Sequence, residues 1–159
     1  MKIVLLEPEI PPNTGNIARL CAATNTELHL IEPFGFDLTD KQLQRAGMDY
    51  WQHVRWFRWK CWDDFLIQTG TTARLWFIES AGQKHYAEVK YGADDSIIFG
   101  RETAGLPRRI LDQYQDAWLR IPMFNPKARS LNLSNCAALV LYEALRQQGF
   151  PGEAGGRVD

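Results

Sequence analysis

Ile121-Pro-Met-Phe-Asn-Pro-Lys-Ala-Arg-Ser-Leu-Asn-Leu-Ser-Asn135, followed by Cys136-Ala-Ala-Leu-Val-Leu-Tyr-Glu-Ala-Leu-Arg-Gln-Gln148, decides how the rest of the chain is read. The second half predicts a helix: Leu139, Val140, Tyr142 and Leu145 recur near the 3.6-residue period, with alanines between them. Asn132, Ser134 or Asn135 can cap it, and Gly149 with Pro151 ends it. The first half is unusual for a plain strand-to-helix connection. Arg129, Ser130, Asn132, Ser134 and Asn135 crowd hydrogen-bonding side chains together, interrupted only by Leu131 and Leu133. The leucines suggest a segment pinned down, with backbone N–H groups and short polar side chains facing a ligand. A well-capped helix start is the plainer reading of the same residues.

Working outward, Ile3-Val4-Leu5-Leu6 is a continuous apolar run, as expected of a strand buried on both faces of a parallel sheet. Glu7 to Pro12 carries three prolines and reads as a stiff loop; Ile17 to Ala23 then reads as a helix capped by Asn13 or Thr14. Arg19 is placed one turn into that helix, able to reach back over the strand edge. Leu28 to Ile31, Val54 to Phe57, Arg74 to Ile78, Ser96 to Phe99 and Trp118 to Ile121 read as further strands. Helices are expected from Thr39-Asp40 through Arg45, ended by Gly47, from Trp62 to Gln68, and from Pro107 through Leu111. Alternating strands and helices predict an α/β fold: a mostly parallel sheet with helices on both faces. A single domain over residues 1–151 accounts for the length, with a flexible Gly-rich tail over 152–159.

The 18 basic and 19 acidic residues give a net charge of -1, so nucleic acid could be held only by a local patch. Three scattered cysteines, without a Cys-x-x-Cys pair, argue against a disulfide frame or a zinc site, and the three histidines show no metal-like spacing. No signal-peptide pattern or apolar run of membrane length is present, so the expectation is a cytoplasmic protein without metal or membrane association. The loops Asn13 to Arg19, Gly100 to Leu106 and Arg129 to Asn135 each follow an apolar strand and mix Gly or Pro with polar side chains. Together they predict a shared pocket at the carboxyl edge of the sheet. They match neither Gly-x-Gly-x-x-Gly nor a Walker loop, which disfavours dinucleotide and P-loop enzymes. Glu102 could position Arg19, or cap the Pro107 helix. His53, Arg55, Trp56, Arg58, Trp59, Lys60 and Trp62 interleave cations and indoles: a base-stacking surface, or only a half-exposed strand. Lys41, Arg45, Arg108, Arg109, Lys127 and Arg146 are further candidates for a phosphate-binding face.

Three ordered motifs carry a resemblance over nearly the whole chain: Pro8 to Ile17 with Arg19 and Cys21; Phe99 to Thr103 with Gly105-Leu106-Pro107; and Ile121-Pro122-Met123 with Arg129 to Asn135, Tyr142 and Glu143. They resemble the SPOUT methyltransferases, and among these the TrmL (YibK-like) tRNA ribose 2'-O-methyltransferases. The resemblance implies a C-terminal deep trefoil knot, a homodimer, and S-adenosyl-L-methionine held around Ile78, Gly100, Ile121, Ser130, Leu131 and Asn135. It implies a substrate, the wobble ribose of leucine tRNAs (cytidine or 5-carboxymethylaminomethyluridine at position 34), contacted by Arg129, Tyr142, Arg45 and Lys127. It casts Arg19 as acting on the 2'-hydroxyl, arranged by Asn13, Glu102, Ser130 and Asn132. Where many members carry a Thr-Thr-Lys-Gly-like turn, this chain has Glu79-Ser80-Ala81-Gly82. A non-catalytic RNA-binding protein on the same scaffold, or a methyltransferase for another RNA site, are the alternatives.

Overall fold

A computed structural model describes residues 1–38, 50–70 and 73–155. The helix expected from Thr39 through Arg45, with Arg45 itself, lies outside the described residues, as does the tail beyond Gly155. The strands are β1 (Lys2–Leu6), β2 (Glu27–Ile31), β3 (Trp56–Trp59), β4 (Leu75–Ile78), β5 (Lys84–His85), β6 (Ser96–Phe99) and β7 (Trp118–Arg120). They form one sheet in the order β3-β2-β1-β6-β4-β7-β5, every ladder parallel. The helices are α1 (Pro11–Ala23), α2 (Trp62–Thr69), the single turn α3 (Arg108–Leu111) and α4 (Leu133–Gln147).

The apolar runs explain the layering. Ile3, Leu5, Leu28, Leu30, Ile97 and Phe99 pack on one face with Ile17, Ala18 and Cys21 of α1 and Ala137, Val140 and Leu141 of α4. Their chain neighbours Val4, Leu6, Ile31 and Ile98 point the other way, against Phe65 of α2 and Ile110 and Leu111 of α3. Strands covered on both faces need no polar alternation, hence runs such as Ile3 to Leu6. Ser96 of β6 and His29 of β2 are polar exceptions, His29 buried among the rings of Phe57, Trp59 and Phe65. Burial lowers the histidine's pKa to about 4, against the opposing pull of the Glu27 carboxylate, which can accept from Nε2. The neutral ring accepts from the Trp59 indole N–H at Nδ1 (3.0 Å).

Three local expectations need correction. First, α1 starts at Pro11, and Ile10, not Asn13 or Thr14, occupies its cap position. Pro11 and Pro12 sit where a helix leaves its N–H groups unbonded, so they begin the helix instead of blocking it. Arg19 is therefore eight residues along α1, about 12 Å from its start, not one turn. Second, β3 runs from Trp56 to Trp59, two residues later than expected, because its ladder pairs Leu28 with Trp56 and Ile31 with Trp59. Trp59 and Trp62 thus face the core, while Trp56, Phe57, Arg55 and Arg58 lie at the surface of this edge strand. Third, β5 was not anticipated: two polar residues pair with β7 and have no apolar period to betray them.

Candidate active site

The carboxyl ends of β1 and β6 lead into loops that grip each other through carboxylates. Glu102 accepts from the backbone N–H of Glu9 (2.9 Å) and of Ile10 (3.3 Å), and from Asn13 Nδ2 (3.1 Å). It thereby caps α1 from another loop, a service that Ile10 has no side chain to perform. Glu9 answers by accepting from the backbone N–H (3.0 Å) and hydroxyl (2.7 Å) of Thr103. Glu7, buried, pairs with Arg101. Asn13 carries the network to the third loop, its Oδ1 accepting from Asn132 Nδ2 (2.8 Å). Asn132 in turn caps α4, accepting from the N–H (2.9 Å) and hydroxyl (2.6 Å) of Ser134. Glu102, Asn13 and Asn132 thus form one hydrogen-bonded line across all three loops.

These loops enclose a cavity of about 520 Å³. Ile78, Phe99, Ile121, Leu131 and Leu133 supply apolar wall; Asn13, Glu79, Glu102, Arg129, Ser130 and Asn132 supply polar groups. Of the two leucines that suggested a pinned loop, Leu133 packs against the core and does anchor the segment, while Leu131, 38 % exposed, serves only as cavity wall. Gly100 is dictated by a close approach: a Cβ there would lie 2.3 Å from the carbonyl carbon of Gly105. That approach is locked by the paired hydrogen bonds between Arg101 and Gly105 (3.1 and 2.9 Å), and Gly105 turns at φ +67°. Cys136 also lines the cavity; burial raises the pKa of its thiol, which stays protonated at neutral pH. Among the described residues, the Arg129 guanidinium and the Ser130 hydroxyl have no protein partner.

Of the residues singled out from the sequence, Asn13, Ile78, Gly100, Glu102, Ile121, Arg129, Ser130, Leu131 and Asn132 line this cavity. Arg19 does not. It stands exposed on α1, its guanidinium 4.9 Å from the Tyr50 ring centre, and Glu102 is committed to α1 instead of to Arg19. Asn135 and Tyr142 also lie outside, on the solvent-facing stripe of α4 that runs through Leu139 and Arg146, opposite the buried Ala137, Val140, Leu141 and Ala144. Leu133 and Cys136, three residues apart on one side of the helix, line the cavity, and Asn135, between them in sequence, falls on the other side. Lys127 is exposed in the loop and not among the lining residues. Sequence reasoning missed Glu79 and Ser80 as lining residues. They follow β4 directly, so the rule that ligands sit at the carboxyl ends of strands would have found them.

A sequence profile of the SpoU rRNA Methylase family matches residues 1–142. The chain belongs to the SpoU methylase family. A tRNA (cytidine(34)-2'-O)-methyltransferase from Saccharophagus degradans is 54% identical over 153 residues, covering 94% of this chain and 97% of that protein. A structure described as giving insight into the 2-OH methylation of C/U34 on tRNA superposes with a TM-score of 0.89 at 40% identity, covering 93% of this chain and 95% of the other. An AdoMet-bound rRNA methyltransferase from Sinorhizobium meliloti superposes with a TM-score of 0.80 at 27% identity, over 91% of this chain and 55% of that one. In this SpoU-family chain the three resembling motifs are the three loops that meet at the cavity.

Proposed function

We propose that this chain is an S-adenosyl-L-methionine-dependent methyltransferase acting on the ribose 2'-hydroxyl of nucleotide 34 of tRNA, as a homodimer in the cytoplasm. Within that reading the target is cytidine, or 5-carboxymethylaminomethyluridine, in leucine tRNAs, and the C-terminal segment is threaded as a trefoil knot. The observation that carries the reading is the cavity at the carboxyl edge, with an apolar wall, a fixed polar wall, and the unpartnered Arg129 and Ser130 at its rim. Its volume falls in the range of cofactor sites. Family membership, the named activity of the Saccharophagus relative and the AdoMet of the Sinorhizobium protein support the same reading.

When bound, S-adenosyl-L-methionine supplies a methyl group already activated by its sulfonium charge. The chain's task is then alignment, which can contribute on the order of 7–11 kcal/mol. Ile78, Ile121 and Leu131 offer the surface a purine ring needs, and the Ser130 hydroxyl is free to bond a polar group of the donor. The line from Glu102 through Asn13 to Asn132 holds the loops at fixed spacing. Arg129 is free to meet a phosphate of the RNA. Arg19, outside its own cavity, acts in the dimer on the other copy's site. A guanidinium keeps its proton, so Arg19 clamps the phosphate and hydroxyl at the target ribose while the hydroxyl proton leaves to phosphate or water. Near-full turnover by Arg19→Lys, with tRNA affinity intact, would contradict that role.

The test is incubation of the full chain with methyl-labelled donor and bulk tRNA, digestion, and mass spectrometry of the nucleosides. The expected product is a 2'-O-methylated nucleotide from position 34. Donor binding by isothermal titration without transfer to any tRNA would overturn the reading.

A further inference from the structure

A second cleft opens at the same edge of the sheet, two strands from β6. It has a volume of about 350 Å³ and is lined by Phe34, Phe36, Asp37, Leu38 and Arg58. The two phenyl rings are nearly parallel, their centres 5.9 Å apart and their planes 15° from one another. The Arg58 guanidinium lies 5.5 Å from the centre of the Phe34 ring and is fixed through its Nε by Glu32. Its Nη groups have no acceptor among the described residues.

The cleft is joined to the main cavity by packing. Gly35, between the two rings, donates its N–H to the Pro8 carbonyl (2.9 Å), and a Cβ on it would lie 2.8 Å from the Glu9 Cα. Glu9 is bound to Thr103, and the next residue, Ile10, lines the main cavity. The order β2-β1-β6 puts the carboxyl ends of β2 and β6, which lead into the second cleft and the main cavity, about 10 Å apart across the sheet, at 4.7–4.9 Å per strand. Aromatic faces beside a guanidinium whose charge is already met by Glu32 suit an unpaired nucleotide, whose base stacks on the rings while its polar edge accepts from the remaining Nη donors.

We propose that the cleft of Phe34, Phe36 and Arg58 is a stacking subsite for an unpaired nucleotide adjacent to the one whose ribose is methylated. The inference rests on the methyl-transfer reading of the main cavity. It gives a use to an aromatic pair left half-exposed on either side of a glycine pressed against the first motif, with Phe34 packing its inner part on the core.

The test uses the full chain and two anticodon stem-loop RNAs, each with 2-aminopurine on one side of the target nucleotide. Stacking is worth about 1–3 kcal/mol per base. Wild type should therefore quench one of the two probes on binding. Phe34→Leu should abolish that quenching and raise the KM for RNA about tenfold or more, with kcat at saturating RNA within about twofold. Phe34→Tyr should restore both. The affinity for S-adenosyl-L-homocysteine, measured by titration, should not change, which confirms that the variant is folded. Quenching of neither probe by wild type, or equal quenching by wild type and Phe34→Leu, overturns the subsite. No methyl transfer by wild type to either stem-loop or to whole tRNA instead marks failure of the underlying reading, and this inference falls with it.

Discussion

The cavity has two walls built on different principles. On one side, the loops after β1 and β6 spend nearly every polar group on each other: Glu7 on Arg101, Glu9 on Thr103, Glu102 on two backbone N–H groups and Asn13. On the other, the loop from Met123 to Asn132 is exposed throughout, with Phe124 95 % exposed. Asn132 bonds it to Asn13, whereas the Ala128 N–H to Asn125 carbonyl bond (3.0 Å) stays within the loop itself. A wall with its hydrogen bonds satisfied internally is preorganised and costs nothing to reorganise when a ligand arrives. A wall with free donors orders on binding and can adapt to what it meets. The first wall thus fixes the shape of the cavity, and the second, with Arg129, Ser130 and Leu131, is left to close on what enters it.

The contrast is broken most severely at Gly100. Its missing Cβ would meet Gly105 backbone, which no side-chain rotation can relieve. Gly100→Ala should cost about 3 kcal/mol in denaturant unfolding and lose donor binding together with stability. A variant of wild-type stability would show that the Arg101–Gly105 closure is soft. Next comes Glu102→Gln, which keeps the shape but turns an amide NH₂ toward donors that need an acceptor. A loss of about 1–2 kcal/mol is expected, since one of the three N–H donors it serves must go unpaired. Donor affinity should fall alongside, because Asn13 and Asn132 depend on the same line. If affinity fell while stability held, Glu102 would be a ligand-contacting group and not the tie between loops.

The two walls also differ in how far the sequence disclosed them. Of the strands that carry them, β1 and β6 were legible as apolar runs buried on both faces, and β4 and β7 as short aromatic and aliphatic runs only partly covered. That the three polar loops converge followed from their shared place directly after apolar strands and the carboxyl-edge rule, and their motifs resemble a family. What stayed hidden was partnership. Glu102 reaches Asn13 across 89 residues, and Asn132 reaches it across 119; no local pattern encodes such pairs. The helical start at Pro11 was hidden for a different reason. Proline forbids a helix interior and favours its first turn, and only the tertiary cap from Glu102 decides which applies. That one misreading moved Arg19 from the pocket's rim to the far turns of α1.

The adaptable wall should answer mutation in the opposite way, through ligands and not through stability. Arg129→Ala removes a cation that no protein group needs, so unfolding should change by less than about 0.5 kcal/mol. Binding of tRNA should weaken about tenfold, and the slope of log affinity against log salt should flatten by about 0.7 if the guanidinium meets a single-stranded phosphate. An unchanged slope would place Arg129 away from the RNA backbone.

The smallest effect belongs to Ser130→Ala. The hydroxyl makes no protein hydrogen bond among the described residues, so its removal leaves nothing buried and unpaired, and the melting temperature should stay within a degree or so of wild type. What it can lose is one neutral hydrogen bond to a bound donor, about 1 kcal/mol, or roughly fivefold in affinity for S-adenosyl-L-homocysteine by titration. The comparison with Glu102→Gln is the point of this variant. Both residues line the same cavity, yet one should report mainly in unfolding and the other only in binding. A Ser130→Ala protein that melts several degrees lower would mean that the exposed loop is held by contacts beyond Asn132, and the division into a fixed wall and an adaptable one would not stand.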